Sequence, residues 1–381
     1  MNKILVVNSG SATLKFKILS LPKLTEEYSG IVERIGIDGS FLSIKNGKKE
    51  EVIKFADGVK NHAEAFVKLT EQLKDILPEI KLVGHRVVHG GGEFSKPQKL
   101  DNGVIKKIEK FNKLAPLHNP VNLACAKASL KLIPNAKQYA VFDTAYYTTI
   151  PEYAHRYALP EKYYKLGIRR YGFHGISHKY AAIESAKEIS GKLSKLKIIT
   201  CHLGSGCSIT ATKFGKAVDT TMGFTPLEGL TMSTRAGDMD ASIPLYLIDH
   251  LKMKTAEVDK LFNKESGLLG IAGTMDMREI LSASGKKVVG YKVNKNFTSE
   301  QKEKSKLALD MFVYDIIRYI GQFTAVMGGV DLIVFTGGVG ERSPVVRNMV
   351  LDGVKNLGKF KSITIPANEE LMIAKEVLSN E

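Results

Sequence analysis

The stretch Ile4–Lys15, ILVVNSGSATLK, runs from β-type apolar residues through Asn8-Ser9-Gly10-Ser11 into a second β-rich run, Thr13–Leu19, a hairpin pattern. The pattern returns in IITCHLGSGCSIT, Ile198–Thr210: a strand Lys197–His202, a turn Gly204-Ser205-Gly206 and a strand Ser208–Thr212. Gly215 and Lys216 then turn into a short strand at Ala217–Asp219. A third glycine turn follows the apolar run of LIVFTGGVGERS, Leu332–Ser343. Glycine turns after strands expose backbone N–H groups, and three of them predict a cleft lined for a polyphosphate. Two strand–turn–strand openings in one chain predict a duplicated α/β domain.

The elements between these stretches narrow the fold. Strands near Phe41–Ile44 and Glu51–Phe55 precede the first helical pattern, His62–Ile76, with Phe66, Leu69 and Leu73 at helical spacing. A run of strands before the first helix excludes a Rossmann or P-loop opening, and no Walker A sequence is present. The chain of 381 residues suits two domains, and the boundary is expected near Tyr146–Pro151, after the strand Tyr139–Asp143. Lys304–Met327 is the longest helical pattern, with Leu307, Met311, Ile316, Ile320 and Phe323 on overlapping faces, and Gly328-Gly329 ends it. Apolar around much of its girth, it is expected to be buried at a domain or subunit interface.

Apolar content of 44% and charged content of 25% are those of a globular enzyme. The net charge of +15 comes from lysines scattered along the chain, which fits a solvated basic surface aiding anionic substrates and not a nucleic-acid partner. Cys125, Cys201 and Cys207 have no metal-ligand spacing and read as reduced thiols of a cytoplasmic protein. No signal peptide is expected, and no apolar run reaches the length of a membrane span.

Several residues carry chemistry. Arg86 lies on the strand Lys81–His89, in VGHRVVHGGG, just before a triple-glycine turn. It reads either as half of a buried salt bridge or as a fork aimed at a carboxylate or phosphate. Arg235, in TPLEGLTMSTRAGDMD, sits in a loop of small residues with little to pack against, which favours an anion site. His174 and His178 are four apart, but Gly175 and Ser177 between them indicate a turn into a helix, so donation to a phosphoryl oxygen is favoured over zinc. The pair His85 and His89 falls on a strand and is likewise not expected to bind metal. Asp143 ends an apolar strand, where acidic residues of α/β folds face the ligand crevice or cap the next helix. One of Glu341, Glu369 and Glu370 is expected to hold Mg²⁺. The picture is one of positioning and electrostatics, without a covalent intermediate.

These residues fall in runs that resemble the acetokinase family, of the acetate and sugar kinase/actin superfamily, nearly end to end. The runs are NSGSATLK, GHRVVHGG, LAPLHNP, VFDTAYY, IRRYGFHG with SH after one further residue, HLGSG, DTTMGFTPLEGL, STRAGD, GLLGIAGT, FTGGVGE and NEELMIA. The resemblance implies duplicated ribonuclease-H-like (actin-like ATPase) domains with a cleft between them. The first would comprise residues 1–146 plus 368–381, and the second, nucleotide-binding domain residues 147–367. It also implies a homodimer, Mg²⁺ (or Mn²⁺ in its place), and the reversible reaction of ATP with acetate to give ADP and acetyl phosphate.

Carried over by position, Asn8 would help place the transferred phosphoryl group and, with Glu369, serve the metal. Ser11, Thr13 and Lys15 would surround the phosphates. Arg86 and Arg235 would bind the carboxylate and stabilise the migrating group, His174 would donate to it, and Asp143 would align magnesium. Val88, Leu117, Phe173 and Pro226, with His118, would form the acetate pocket. His202, Gly204, Ser205 and Gly206 of the second turn would contact the nucleotide. So would Gly337, Gly338, Val339 and Gly340 of the third, with Asp276, Met277 and Arg278 around the adenosine. The chain departs from the family pattern at Ala12 and Thr13, for serines; at Ser205 and Arg342, for asparagines; and at Tyr147, for a histidine. A propionate kinase and a pyrophosphate-dependent enzyme are the near alternatives, and a non-catalytic actin-like nucleotide-binding module the distant one.

Overall fold

The computed structural model describes residues 2–116, 118–288, 290–291 and 296–381. Leu117, one of the expected acetate-pocket residues, lies outside them. The chain divides into two compact units, Met1–Thr148 with Asn368–Glu381, and Thr149–Ala367.

The first unit holds an eight-stranded sheet. Its strands are β1 (Lys3–Ser9), β2 (Thr13–Ser20), β3 (Thr25–Glu33), β4 (Phe41–Asn46), β5 (Lys49–Lys54), β6 (Ile80–Val87), β7 (Gln98–Lys99) and β8 (Lys137–Phe142), in the order β5-β4-β3-β2-β1-β6-β8-β7. The second unit holds β9 (Lys197–Leu203), β10 (Cys207–Lys213), β11 (Lys216–Thr220), β12 (Leu332–Thr336) and β13 (Lys361–Thr364), in the order β11-β10-β9-β12-β13.

The duplication is visible in the pairing. β1 pairs antiparallel with β2, and β2 with β3, while β1–β6 and β6–β8 are parallel. β9 pairs antiparallel with β10, and β10 with β11, while β9–β12 and β12–β13 are parallel. Each unit therefore carries the same five-strand order, three antiparallel strands followed by two parallel ones. This is the duplicated α/β domain that the two hairpin stretches predict, in the ribonuclease-H-like form that the family resemblance implies. The first two glycine turns close the β1–β2 and β9–β10 hairpins, whereas the third leads from β12 into a helix, Gly337–Arg342.

Central strands buried on both faces explain the unbroken apolar runs. Every residue of β1 is buried. On one face Leu5 and Val7 join Phe16, Phe66 and Leu69 in a core beneath the helix His62–Gln72. On the other face the C-terminal helix Glu369–Leu378 lies so close that a Cβ on Gly84 would stand 2.7 Å from Ile373 and 3.2 Å from Val377. Each such large side chain contributes about 1.5–3 kcal/mol on burial, which returns the C-terminus to the first unit.

In the second unit the helix Gly175–Glu188 covers one face of the sheet through Ala181, Ala182 and Ala186. The long helix, Ser299–Met327, begins with a capping box of Thr298 and Gln301 and ends at Gly328 in the left-handed region. Its buried stripe is Leu309, Phe312, Ile316, Ile320 and Phe323. Within the single chain the helix is not buried around its whole girth: Leu307 and Met311 are 54% and 41% exposed. At 100° per residue they fall opposite the stripe, beside exposed Tyr314. Among the described residues no helix is long and apolar enough to cross a membrane.

Candidate active site

In the first unit, the ends of three strands and the start of the C-terminal helix converge on Arg86. From β6 it donates to Asp143 Oδ2 through Nε at 3.1 Å and Nη2 at 2.5 Å, and through Nη1 to Asn8 Oδ1 at 3.0 Å. Asn8 Nδ2 donates to Glu369 Oε2 at 3.0 Å and Glu370 Oε1 at 2.8 Å. Glu369 Oε2 stands 3.8 Å from Arg86 Nε. Burial works against the Arg86 charge, but Asp143, Glu369 and Glu370 outweigh it, and its pKa moves up. Of the two readings of this residue the ion pair is present, and its side chain remains 15% exposed.

The helix Asn119–Leu132 fixes this corner. Asn122 accepts from Val88 N at 3.1 Å and donates to Ser9 O at 2.9 Å, clamping the end of β6 to the first glycine turn. Asn119 holds the N–H and carbonyl of His89 in the same manner. His118 is the N-cap residue of that helix. His62 supports the first turn through Gly10 O at 2.8 Å. His85 meets Gln138 and His89 accepts from Gly91 N; both rings are buried and act within the framework.

In the second unit, His174 is the N-cap residue of the helix Gly175–Glu188 and adopts φ 59° and ψ 22°. A non-glycine residue in the left-handed region is a strained conformation of the kind concentrated at functional sites. A Cβ on Gly206 would lie 3.4 Å from His174 Nε2 and 3.5 Å from Arg235 Nη1, so both groups face the second glycine turn. The His202 ring stacks on His174 at 4.5 Å and is held by Ser177.

Arg235 donates to Pro226 O at 3.0 Å. Among the described residues no carboxylate pairs with it, and burial lowers its pKa, with a small opposing effect of Cys207. Its loop is tied to the long helix: Asp238 accepts from Arg318 and Tyr319, and Asp315 accepts twice from Thr231. The Pro226 segment is held by Glu228, which accepts from Tyr157 and Arg170. Phe173 is buried beside His174 in sequence.

A cavity of about 610 Å³ adjoins the second and third turns. Gly204, Ser205, Gly338 and Val339 line it, with Asp276, Met277 and Arg278. Its apolar wall includes Leu268, Leu281 and Phe312. Gly337 and Gly340 are not in the lining. Their missing side chains let the third turn lie against Leu203 and Cys201, where a Cβ on Gly337 would stand 2.8 Å from Leu203 O. The size and mixed lining suit a small-molecule ligand.

The acetokinase family model matches residues 3–362. An acetate kinase of Clostridium novyi (strain NT) is 44% identical over 98% of this chain and 97% of its own length. The crystal structure of Porphyromonas gingivalis acetate kinase superposes with a TM-score of 0.88 at 38% identity, covering 100% of this chain and 99% of that one. The chain belongs to the acetokinase family. It is a phosphotransferase, as its acetokinase relatives are. A propionate kinase from Francisella tularensis subsp. tularensis SCHU S4 is also similar, with a TM-score of 0.89 at 35% identity and 99% of each chain covered.

For an acetokinase-family enzyme the donor set decides which metal fits. Asp143, Glu369 and Glu370 place carboxylate oxygens around Arg86 and Asn8. Among the described residues no group of three or more His, Cys, Asp or Glu could hold a metal alone. Carboxylate oxygens of this kind are the donors Mg²⁺ takes, one or two at a time, alongside waters and substrate phosphates. Both members of the expected pair are engaged here: the Asn8 amide oxygen accepts from Arg86, and Glu369 Oε2 accepts from Asn8 Nδ2. Glu341 is otherwise occupied: its Oε1 accepts from Gly337 N and Ala367 N and caps the third turn.

Of the remaining expected residues, Ser11 and Lys15 are exposed on and beside the first turn, and Thr13 Oγ1 lies within the turn against Gly10. Tyr147, one of the departures from the family pattern, is fully buried. The reading of the sequence missed Asn119, Asn122, Thr200 and Ser208, and took His178 as a phosphoryl donor beside His174 where the structure buries it against Thr200 and Ser208. No spacing along the chain links residues so far apart.

Proposed function

We propose that the protein transfers the γ-phosphoryl group of ATP to acetate, reversibly, by in-line attack of an acetate oxygen on the γ-phosphorus. The new O–P bond forms as the bond to the ADP oxygen breaks, so no covalent enzyme intermediate is needed. The observation that carries this reading is Arg235: a half-buried guanidinium with no carboxylate partner among the described residues, beside His174 at a glycine turn. A buried cation left without a counter-ion is suited to an anion that arrives as ligand. The migrating group is rich in negative charge, and Arg235, His174 and Arg86 stabilise it more than the bound ground state. Magnesium, held through Glu369, would neutralise charge on the phosphate oxygens.

The cavity at the second and third turns takes the adenosine, and an apolar acceptor pocket of the kind the family resemblance implies limits the acceptor to a short chain. One methylene in such a pocket is worth about 1–3 kcal/mol, so propionate is a poorer but real substrate. The similarity to a propionate kinase makes the reverse preference the specific alternative. A homodimer is in keeping with the exposed apolar row Leu307, Met311 and Tyr314 on the long helix, and light scattering tests it. Reduced buried thiols fit a cytoplasmic enzyme.

Trapping acyl phosphate with hydroxylamine decides among these readings. ATP with acetate, propionate and butyrate should give product in descending order. Product from pyrophosphate but not ATP would overturn the donor assignment. No product with any donor would favour a non-catalytic nucleotide-binding module.

A further inference from the structure

Behind His174 lies a line of buried side chains. Ser208 Oγ is 2.9 Å from His174 Nδ1 and 2.8 Å from His178 Nε2, and His178 Nδ1 is 2.6 Å from Thr200 Oγ1. Ser208, His178 and Thr200 are each 0% exposed, so water does not interrupt the line. A hydroxyl has one proton to donate, and a neutral imidazole has one N–H and one bare nitrogen. The Ser208 hydroxyl has no acceptor for its proton among the described residues other than these two rings, so it donates to one and accepts from the other, and the three contacts run all one way or all the other.

Thr200 sets the direction. Its only other acceptor among the described residues, Thr210 O, is 3.5 Å away, too long for an effective O–H···O bond. The Thr200 proton is thus directed to His178 Nδ1. His178, kept neutral by burial, then carries its proton on Nε2 and donates to Ser208. Ser208 in turn donates to His174 Nδ1. That leaves the N–H of His174 on Nε2, the nitrogen that faces Gly206 beside Arg235.

On the reading of His174 as the group that donates to the migrating phosphoryl, we infer that Thr200, His178 and Ser208 are positioning residues that hold His174 in its Nε2–H tautomer. The opposite direction would turn a lone pair toward a phosphate oxygen, and His174 could then donate only as an imidazolium. A second positive charge there would stand beside Arg235 and stacked on His202, so the neutral donor is the less costly arrangement. No proton is transferred along the line; it fixes an orientation.

The test reads ring nitrogens directly, by two-bond ¹H–¹⁵N correlation on full-length protein labelled with [¹⁵N]histidine, without substrate. The expected result is that His174 and His178 are both Nε2–H tautomers, with His174 Nδ1 showing the shift of a hydrogen-bonded acceptor. In Ser208→Ala that shift should move to the value of an unbonded nitrogen, and kcat should fall about tenfold with the nucleotide KM unchanged, the scale of one hydrogen bond. Thr200→Val keeps the side-chain shape and should do the same at His178 Nδ1, while Thr200→Ser should restore it. An Nδ1–H tautomer of His174 in the native protein, or an Nδ1 shift indifferent to Ser208→Ala, would overturn the inference. These tautomers are read whether or not acyl phosphate is made, so failure of the proposed reaction and failure of the positioning line give different results.

Discussion

His174 and Arg235 reach the same point in the second unit: a methyl group on Gly206 would stand 3.3 Å from His174 Cε1, 3.4 Å from its Nε2 and 3.5 Å from Arg235 Nη1. Gly206 is not in the left-handed region, so its backbone tolerates a side chain, and only the two functional groups resist it. Gly206→Ala should fold with nearly native stability and displace the pair by a few tenths of an ångström. Small misplacements of reacting groups cost up to about 10²-fold. A fall in kcat of about 10- to 10²-fold is expected with little change in melting temperature. An unaltered kcat would remove this turn from the reacting centre.

The two arginines should separate function from stability. Both Arg86→Ala and Arg235→Ala should lower kcat by about 10³-fold or more, the scale of a transition-state arginine. Arg86→Ala also removes the guanidinium paired with Asp143, which is 1% exposed, and breaking a buried pair costs about 3–5 kcal/mol. Arg235→Ala leaves no buried carboxylate behind and should change unfolding free energy by no more than about 1 kcal/mol. Urea unfolding beside steady-state kinetics measures both. Less than a tenfold loss of turnover in both variants would refute their roles.

Asn122 links the first glycine turn to the strand that carries Arg86, with one bond to Ser9 O and one from Val88 N. Removing it leaves two buried backbone groups unpaired, each costing about 1–3 kcal/mol. Asn122→Ala should therefore melt earlier and lose activity, whereas Asn122→Asp keeps the bond from Val88 and should retain part of the stability. Equal melting of both variants and the native protein would show that the clamp carries no load.

The hairpins β1–β2 and β9–β10 were legible because their first strands are buried on both faces and so read as unbroken apolar runs. β3 was not: Thr25–Glu33 is polar at most positions and carries Gly30, where a Cβ would stand 2.2 Å from Ser43 O. Its glycine serves close strand packing and imitates a turn. The long helix was legible in extent but not in facing, since Leu307 and Met311 are apolar on its outer side. Arg235 could be singled out because a loop arginine among small residues has no local partner. Glu341 could not be told from Glu369 by type, because capping a turn and meeting a metal use the same carboxylate. The line from Thr200 to His174 joins a strand, a helix and a second strand, and only folding creates it.

Buried imidazoles give the folded state a defined acid limit. Burial lowers both His85 and His89 to about 4, with the Gln138 bond opposing the shift at His85, and it lowers His178 in the same direction. In the unfolded chain these rings take up protons near pH 6.5, about the ordinary histidine value. Between the two values the unfolded state binds more protons, so acid favours it. Their contribution is fully present above pH 6.5 and is lost as the pH falls toward about 4, on the order of 3 kcal/mol per ring over that interval. Urea midpoints should decline steadily from pH 7 to pH 4.5, and His85→Gln should remove about one ring's share of the decline. A variant whose midpoints fall as steeply as those of the native protein would mean that His85 titrates alike in both states.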